Sequence, residues 1–579
     1  MTNWQKVYET WNKYAPLDQE LREELEEIKL DPVRLEDAFY KELTFGTGGM
    51  RGVIGVGTNR MNIYTVRKAV DGLARYLRDT TADYKKRGVA IAYDCRHMSR
   101  AFALEAAKVL GSYGIRSYVF DTLHPTPLLS FAVRHLHTAA GIMITASHNP
   151  PEYNGFKVYN EEGGQIVPEE AEQVIRKIQE VENELTVPVM TQDNLVKHDL
   201  LRWIGAEIDQ AYLEKLLEIS RLSDVEQQQE KKLPIVFTPL HGTAGKLVMK
   251  GLEQLHFTNV EIVPEQAVPD PEFSTVDSPN PEEHKAFAMA IEKGESLGAE
   301  ILLGTDPDSD RLGVAVRNAS GEYQVLTGNQ LGSLFIDYIL SHSDQKELEN
   351  GRILKTIVTT ELGRTIAASY GVDTIDTLTG FKYIGEKIHE FAETGENFLF
   401  GFEESYGYLI SSIARDKDAV QAAVLSAEMA YFWRSQGKSL LEALDLLYQK
   451  HGYFMEGQSS MTLKGRKGSE QIAILMETMR KNSLPEIAGL KVLRVEDYLE
   501  SVSMDKTDGK SEKILLPKEN VLKFMLENNS WVCLRPSGTE PKIKCYFGVC
   551  ETSLHASEEK LSALQKTMVQ TMEEIVSGI

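Results

Sequence analysis

The sequence predicts an α/β fold. Three observations carry this. Short apolar runs of strand length recur along the chain, amphipathic helical stretches separate them, and the runs end in polar loops bearing glycine or proline. Strands alternating with helices build parallel or mixed sheets. In order, residues 1–44 read as helices with acidic exposed faces. Residues 66–77 form the next helix, 89–93 a strand ending at Asp94-Cys95-Arg96, and 101–110 another helix. Residues 139–144 form a short buried strand. Asn149, Pro150 and Pro151 stop it, and the polar, Gly-rich chain beyond them, including Asn154-Gly155-Phe156-Lys157, reads as irregular loop. The rhythm returns at 234–237, 301–303, 353–358 and 397–400, and 531–534 is a late strand. The polar run 224–232 is expected as a loop and 505–513 as an exposed hairpin or loop. A C-terminal helix opens with Ser557 as N-cap and Glu558 and Glu559 in its first turn.

At 579 residues the chain is long enough for roughly three to five domains. The formal net charge of −23 argues against nucleic acid as a partner, because no basic excess exists to displace its counterions. Basic residues nevertheless gather at the loops: Arg51, Arg96, Lys157, Arg311, Lys382, Arg415, Lys417, Arg535, Lys542 and Lys544. Local rather than net charge steers a ligand, so a positive cleft in an acidic body suits a small phosphorylated substrate. Cys95, Cys533, Cys545 and Cys550 have no C-x-x-C spacing, which excludes a zinc or thioredoxin reading; scattered thiols suit a reducing compartment. Met1-Thr2-Asn3-Trp4-Gln5-Lys6 lacks the apolar core of a signal peptide. No apolar run approaches the ~20 residues of a membrane helix, so a soluble cytoplasmic protein without a membrane partner is expected.

Ser147, in Thr145-Ala146-Ser147-His148-Asn149-Pro150, stands on a loop at a strand end, where open α/β sheets place their chemistry. A serine hydroxyl needs a base or an electrophile to become a nucleophile, and Lys157 is near in sequence. Asp306, Asp308 and Asp310 alternate over five residues, and three carboxylates in one loop repel one another unless a cation joins them. Hard oxygen donors suit Mg²⁺. An EF-hand is excluded by Arg311 and Arg317 where Gly and Glu are required, and Asp310 breaks the pattern of a haloacid-dehalogenase-type phosphatase. The glycines of 45–52 miss the dinucleotide fingerprint at Arg51, and 238–246 is not a P-loop. Taken singly, each loop could equally be a solvated turn.

Four loops together say more. Thr145–Pro150, Asp306-Pro307-Asp308-Ser309-Asp310-Arg311, Glu403-Glu404-Ser405-Tyr406-Gly407 and Arg535-Pro536-Ser537-Gly538-Thr539-Glu540-Pro541, in this order, resemble the α-D-phosphohexomutase family over nearly the whole chain. The resemblance implies three similar α/β domains with mixed sheets and a fourth α+β domain of TATA-binding-protein-like shape, around a central active-site cleft. Boundaries are expected near 205, 325 and 452. It implies that Ser147 carries the phosphoryl group and that one Mg²⁺ per chain is held by Asp306, Asp308, Asp310 and an oxygen on Ser147. Arg51 and Arg311 then lie near the moving group. Lys157 assists proton transfer, with His148 and His241 as weaker candidates; His148 more simply shapes the loop. Glu403 and Ser405 match the sugar loop, and Thr379, Gly380 and Lys382 contribute to sugar and phosphate contacts. Arg415 and Lys417 are further basic candidates for the substrate. Arg535, Ser537, Gly538 and Thr539 match the phosphate-binding loop, whose guanidinium fork, hydroxyls and backbone N–H groups can surround a dianion. The implied reaction interconverts hexose 1- and 6-phosphates, with glucose the expected sugar and glucose 1,6-bisphosphate the intermediate and activator. Mannose and pentose phosphates are the alternatives, and a phosphatase or a non-catalytic sensor the remote rivals. The expected partner is a small phosphosugar, and the expected state a monomer or weak homodimer.

Overall fold

The computed structural model describes residues 3–46, 48–463, 465–482, 484–537 and 541–578. The chain divides into two compact units. One comprises Met1–Gly328, Phe381–Gly401 and Ser405–Gly437; the other comprises Asn329–Gly380, Phe402–Glu404 and Lys438–Ile579.

The first unit opens with three amphipathic helices, Asn3–Lys13, Gln19–Ile28 and Pro32–Phe39, the last two capped by the carboxylates of Asp18 and Asp31. Their apolar stripe is anchored by Trp11, which is fully buried and donates its indole N–H to Glu184 Oε1 at 2.8 Å. A six-stranded mixed sheet follows. Its strands are β1 (Gly49–Val53), β2 (Val89–Tyr93), β3 (Ser117–Phe120), β4 (Ala140–Ile144), β5 (Tyr153–Tyr159) and β6 (Leu201–Ile204), in the order β1-β5-β4-β2-β3-β6. β2, β3, β4 and β6 run parallel, while β5 is antiparallel to both β4 and β1. Every residue of β2 and β4 is buried, which explains why they are continuous apolar runs rather than alternating ones. A second mixed sheet, β7 (Ile235–Thr238), β8 (Val260–Ile262), β9 (Ile301–Thr305), β10 (Leu312–Arg317) and β11 (Tyr323–Val325), has the order β11-β10-β9-β7-β8.

In the second unit β12 (Gly351–Thr356) and β13 (Asp373–Thr377) pair in parallel. The strand β14 (Asn397–Glu403) begins in the first unit and ends in the second; β15 (Gly407–Leu409) lies in the first. Beyond these, β16 (Tyr453–Thr462), β17 (Glu486–Ile487), β18 (Leu490–Asp497), β19 (Val502–Asp505), β20 (Ser511–Lys513), β21 (Leu522–Leu526), β22 (Trp531–Pro536) and β23 (Lys542–Glu551) form an antiparallel sheet. The helices Gly465–Lys481 and Leu554–Ser577 share its core, which holds Leu475, Phe524, Val532, Phe547, Leu564 and Met568. The α/β sheets are mixed, and the C-terminal part is the expected α+β arrangement.

Several local expectations need correction. Asn154–Lys157 is not an irregular loop: these residues belong to β5, with Lys157 opposite Met143 of β4 and Gly49 of β1. A polar, glycine-bearing stretch becomes a strand because neighbours on both sides take its backbone groups. The run 224–232 contains a short helix, Asp224–Gln227, and a fully buried Lys231 whose ammonium donates to the carbonyls of Glu226, Gln227, Gln229 and Leu255. The run 353–358 is too long by two residues at its C-terminal end, where Ile357 and Val358 turn. The last helix is capped by Ser553, which accepts from Ala556 N; Ser557 lies inside it and donates to Tyr453 O. Among the described residues no helix is long and apolar enough to cross a membrane.

Candidate active site

β4 ends at Ile144, and Ser147 stands just beyond its C-terminal end in the left-handed region, φ +51°. A residue with a β-carbon held there stores on the order of 1–3 kcal/mol. The strain is sustained locally: Ser147 N donates to Thr145 Oγ1 at 2.8 Å, and Arg96 Nη2 donates to Ser147 O at 2.6 Å. Ser147 is buried, and its hydroxyl donates to Asp306 Oδ2 at 2.7 Å. His148 Nδ1 lies 3.2 Å from the same hydroxyl oxygen. Burial, followed by the Arg311 charge, pushes the imidazole down to about 3, so it is neutral at pH 7. Arg51, opposite Gly155 in the β1–β5 ladder, donates to Asn149 Oδ1 at 2.7 Å.

The three aspartates sit on the turn between β9 and β10, and all are buried. One oxygen from each can lie within 4.8 Å of the others. Asp306 Oδ1 accepts from the backbone N–H of Asp310 and Arg311 at 3.0 and 2.9 Å, which leaves Oδ2 for Ser147. Asp308 Oδ2 accepts from Thr126 Oγ1 at 3.1 Å and from Lys157 Nζ at 3.0 Å. Asp310 Oδ2 lies 3.5 Å from Lys157 Nζ and 3.2 Å from Lys417 Nζ. Burial, then the charges of Asp308 and Asp310, hold the Asp306 carboxyl well above its ordinary range. Burial pushes Asp308 the same way, but Lys157 and the bond with Asp306 prevail and hold it below that range. Asp308 Oδ1 and Asp310 Oδ1 are buried and accept no hydrogen bond among the described residues. Such oxygens in a carboxylate cluster fit a divalent cation with hard oxygen ligands.

The remaining candidates divide. Lys417 joins the cluster, and its neighbour Asp416 accepts from Tyr159 OH at 2.8 Å. Arg311 pairs with Glu282 and lies beside the loop it closes. Arg415 is turned elsewhere: its guanidinium donates to the carbonyls of Ser412 and Ala414, and burial pushes it down to about 9. His241 spends both ring nitrogens on Val268 O and Thr275 Oγ1 and does not meet Ser147. Glu403 ends β14 and is buried, and Ser405 lies in the turn to β15. Glu404 accepts from Thr356 and Thr359 at 3.2 Å. Thr379 and Gly380 precede the helix Phe381–Thr394, and Lys382 lies over the Tyr383 ring at 5.2 Å. Arg535 donates through Nε to Glu519 Oε1 at 3.1 Å, and Ser537 N donates to Lys542 O. Gly538 and Thr539 lie outside the described residues. Thr126, Glu282 and Phe273 carry no sequence signal; each touches the site only through folding.

In fold, the chain is similar to a solved phosphoglucomutase/phosphomannomutase family protein from Burkholderia thailandensis. The TM-score is 0.66 at 19 % identity, over 92 % of this chain and 97 % of that one. It is also similar to parafusin (phosphoglucomutase) from Paramecium in its open form, with a TM-score of 0.67 at 17 % identity over 93 % and 95 %. The architecture is the four-domain one that the phosphoglucomutase/phosphomannomutase domain models define, a family of phosphotransferase isomerases. The four domain models of phosphoglucomutase/phosphomannomutase match residues 42–185, 210–321, 327–451 and 485–561. Phosphoglucomutase of Staphylococcus haemolyticus is 38 % identical over 514 residues, 89 % of this chain and 91 % of that protein. Phosphoglucomutase of Staphylococcus aureus (strain bovine RF122 / ET3-1) is 38 % identical over 534 residues, 92 % and 94 %. The chain therefore belongs to the phosphoglucomutase/phosphomannomutase family.

Proposed function

We propose that this enzyme interconverts glucose 1-phosphate and glucose 6-phosphate, with Ser147 as the phosphoryl carrier. The observation that carries the reading is the Ser147 hydroxyl, held 2.7 Å from Asp306 Oδ2 beside a buried carboxylate cluster. The choice of glucose draws its support from the relatives named phosphoglucomutase at 38 % identity.

The substrate's 6-hydroxyl oxygen attacks the phosphorus on Ser147. Its bond to phosphorus forms as the bond to Ser147 Oγ breaks; Oγ keeps the bond electrons, and the proton lost by the attacking hydroxyl is replaced on Oγ. Glucose 1,6-bisphosphate then presents its other end, and the 1-phosphoryl group passes to Ser147 Oγ. The sugar O1 keeps the bond electrons and gains a proton, so the cycle balances. Asp306, Asp308 and Asp310 would hold one Mg²⁺, which supplies Lewis-acid polarisation of phosphoryl oxygens when bound. Lys157, kept protonated by Asp308 and Asp310, would give its proton to the oxygen leaving phosphorus and be recharged by the attacking hydroxyl. Positioning and electrostatics supply most of the acceleration in such transfers. Glu403 and Ser405 would orient the sugar. Arg535, with Ser537, Gly538 and Thr539, would hold the idle phosphate, and Thr379, Gly380 and Lys382 would add contacts to sugar and phosphate. Domain boundaries near 205, 325 and 452, a cytoplasmic setting and a monomer or weak homodimer complete the proposal; the four cysteines are free, as a reducing compartment would keep them.

A coupled assay over glucose, mannose, ribose and glucosamine 1-phosphates tests the reading. Turnover is expected to be fastest with glucose and absent in Ser147→Ala. Free phosphate as the main product would identify a phosphatase instead.

A further inference from the structure

We propose that Arg96 is a positioning residue that holds Ser147 in its left-handed conformation, and that Phe273 of the second sheet's domain holds Arg96 in turn. This rests on the reading of Ser147 as phosphoryl carrier.

One guanidinium gathers four carbonyls in and just after the serine loop. Nη1 donates to Pro150 O at 2.8 Å and Tyr153 O at 3.0 Å; Nη2 donates to Ser147 O at 2.6 Å and to Asn149 O. The third nitrogen, Nε, lies 3.4 Å from Asp94 Oδ2, and both side chains are fully shielded from solvent. Asp94 is itself fixed by Arg96 N and by Ser99 Oγ at 2.9 and 2.7 Å. With its carbonyl pinned on one side and its N–H on Thr145 Oγ1 on the other, Ser147 has little freedom to relax. Its Oγ is thereby aimed at Asp306.

The guanidinium is also clamped. Arg96 Cζ lies 4.9 Å from the centroid of the Phe273 ring. Phe273 is buried and sits at φ +50°, strained like the serine it serves. Its turn is built by Asp270, which accepts from the N–H groups of Glu272 and Ser274, and by His241, which bonds Val268 O and Thr275 Oγ1. The segment 268–282 therefore works as a strap. It reaches the serine loop through Arg96, and Glu282, at its end, pairs with Arg311 beside the aspartates. Lysine could not replace Arg96, because a compact ammonium cannot span four carbonyls and stack on a ring.

The test uses the full-length enzyme. Phosphoryl uptake on Ser147 from labelled glucose 1,6-bisphosphate is followed by rapid quench, alongside steady-state kcat and KM. Arg96→Lys should slow uptake and kcat by about ten- to a hundredfold, in line with an ångström-scale misplacement, with KM little changed. Phe273→Leu should give a smaller loss of the same kind. Because Phe273 acts through Arg96, the double variant should be no slower than Arg96→Lys alone. Wild-type uptake in either single variant, or losses that simply add, overturns the proposal. If Arg96→Lys does not fold, uptake by Phe273→Leu decides. A wild-type enzyme that takes no label on Ser147 overturns the parent reading instead.

Discussion

Lys157 Nζ lies 3.0 Å from Asp308 Oδ2, joining a strand of the first sheet to the metal-type loop of the second. Burial works to discharge the lysine, but Asp308 and Asp310 prevail and raise it, so it remains an ammonium. Removing it in Lys157→Met leaves buried carboxylates with less counter-charge. In the presence of a chelator the variant should lose about 3–5 kcal/mol of stability, as expected for breaking a buried pair. Added Mg²⁺ should recover part of this, since a dication supplies the missing charge. Chemical denaturation with and without Mg²⁺ measures both; equal stability of wild type and variant under chelator would count against the pairing.

Asp306 and Asp308 should respond oppositely to the same substitution. Asp306 is held high by burial and by its two neighbours, so its negative charge is unfavourable in the fold. Asp306→Asn keeps an oxygen for the N–H groups of Asp310 and Arg311 and should raise metal-free stability by about 1 kcal/mol, the order of one pKa unit. Asp308 is held low by Lys157, so Asp308→Asn should lower it. Both should lose nearly all mutase activity. Thermal melts under chelator distinguish the signs.

Arg535 is steadied through its Nε by Glu519, and its proposed role is to hold the idle phosphate. A charge-assisted hydrogen bond contributes roughly 1.5–3 kcal/mol. Arg535→Ala should therefore lower kcat/KM about ten- to a hundredfold, at about 1.36 kcal/mol per decade. The loss should be alike in forward and reverse directions, because the idle phosphate is held in both. Arg535→Lys should recover only part. Steady-state kinetics in both directions decide; a one-directional defect would give the loop another role.

Glu456 accepts from Asn329 Nδ2 at 3.1 Å, and burial pushes its carboxyl up to about 7. Between the ordinary carboxyl range and that value the folded chain binds more protons than the unfolded one. Stability from this group is therefore full at low pH and is lost as pH rises through about 7. Glu456→Gln, which keeps an acceptor for Asn329 and carries no charge, should melt higher than wild type at pH 8 and no higher at pH 5. A shift of the same size at both values would dismiss the titration.

What the sequence determined by itself is what short stretches encode. The fully apolar run of β4 could only be a buried strand, so Ser147 had to stand at its end. The spacing of Asp306, Asp308 and Asp310 is a property of five consecutive residues and survives any packing. The order of the four loops was enough to indicate the family. What only the tertiary structure decided depends on partners remote in sequence. Lys157 was readable as a loop residue until β1 and β4 were seen to take it into the sheet, and its partner Asp308 is 151 residues away. Ser557 has the better local cap chemistry, with two glutamates behind it, yet Ser553 starts the helix and the Ser557 hydroxyl goes to Tyr453, 104 residues distant. Arg96 announced only a charge at a strand end. Its work on the Ser147 carbonyl, and the ring of Phe273 behind it, arise where segments 177 residues apart in sequence meet. Local propensity specifies backbone conformation, but the burial that turns a charge into a clamp is decided only when distant elements exclude water together.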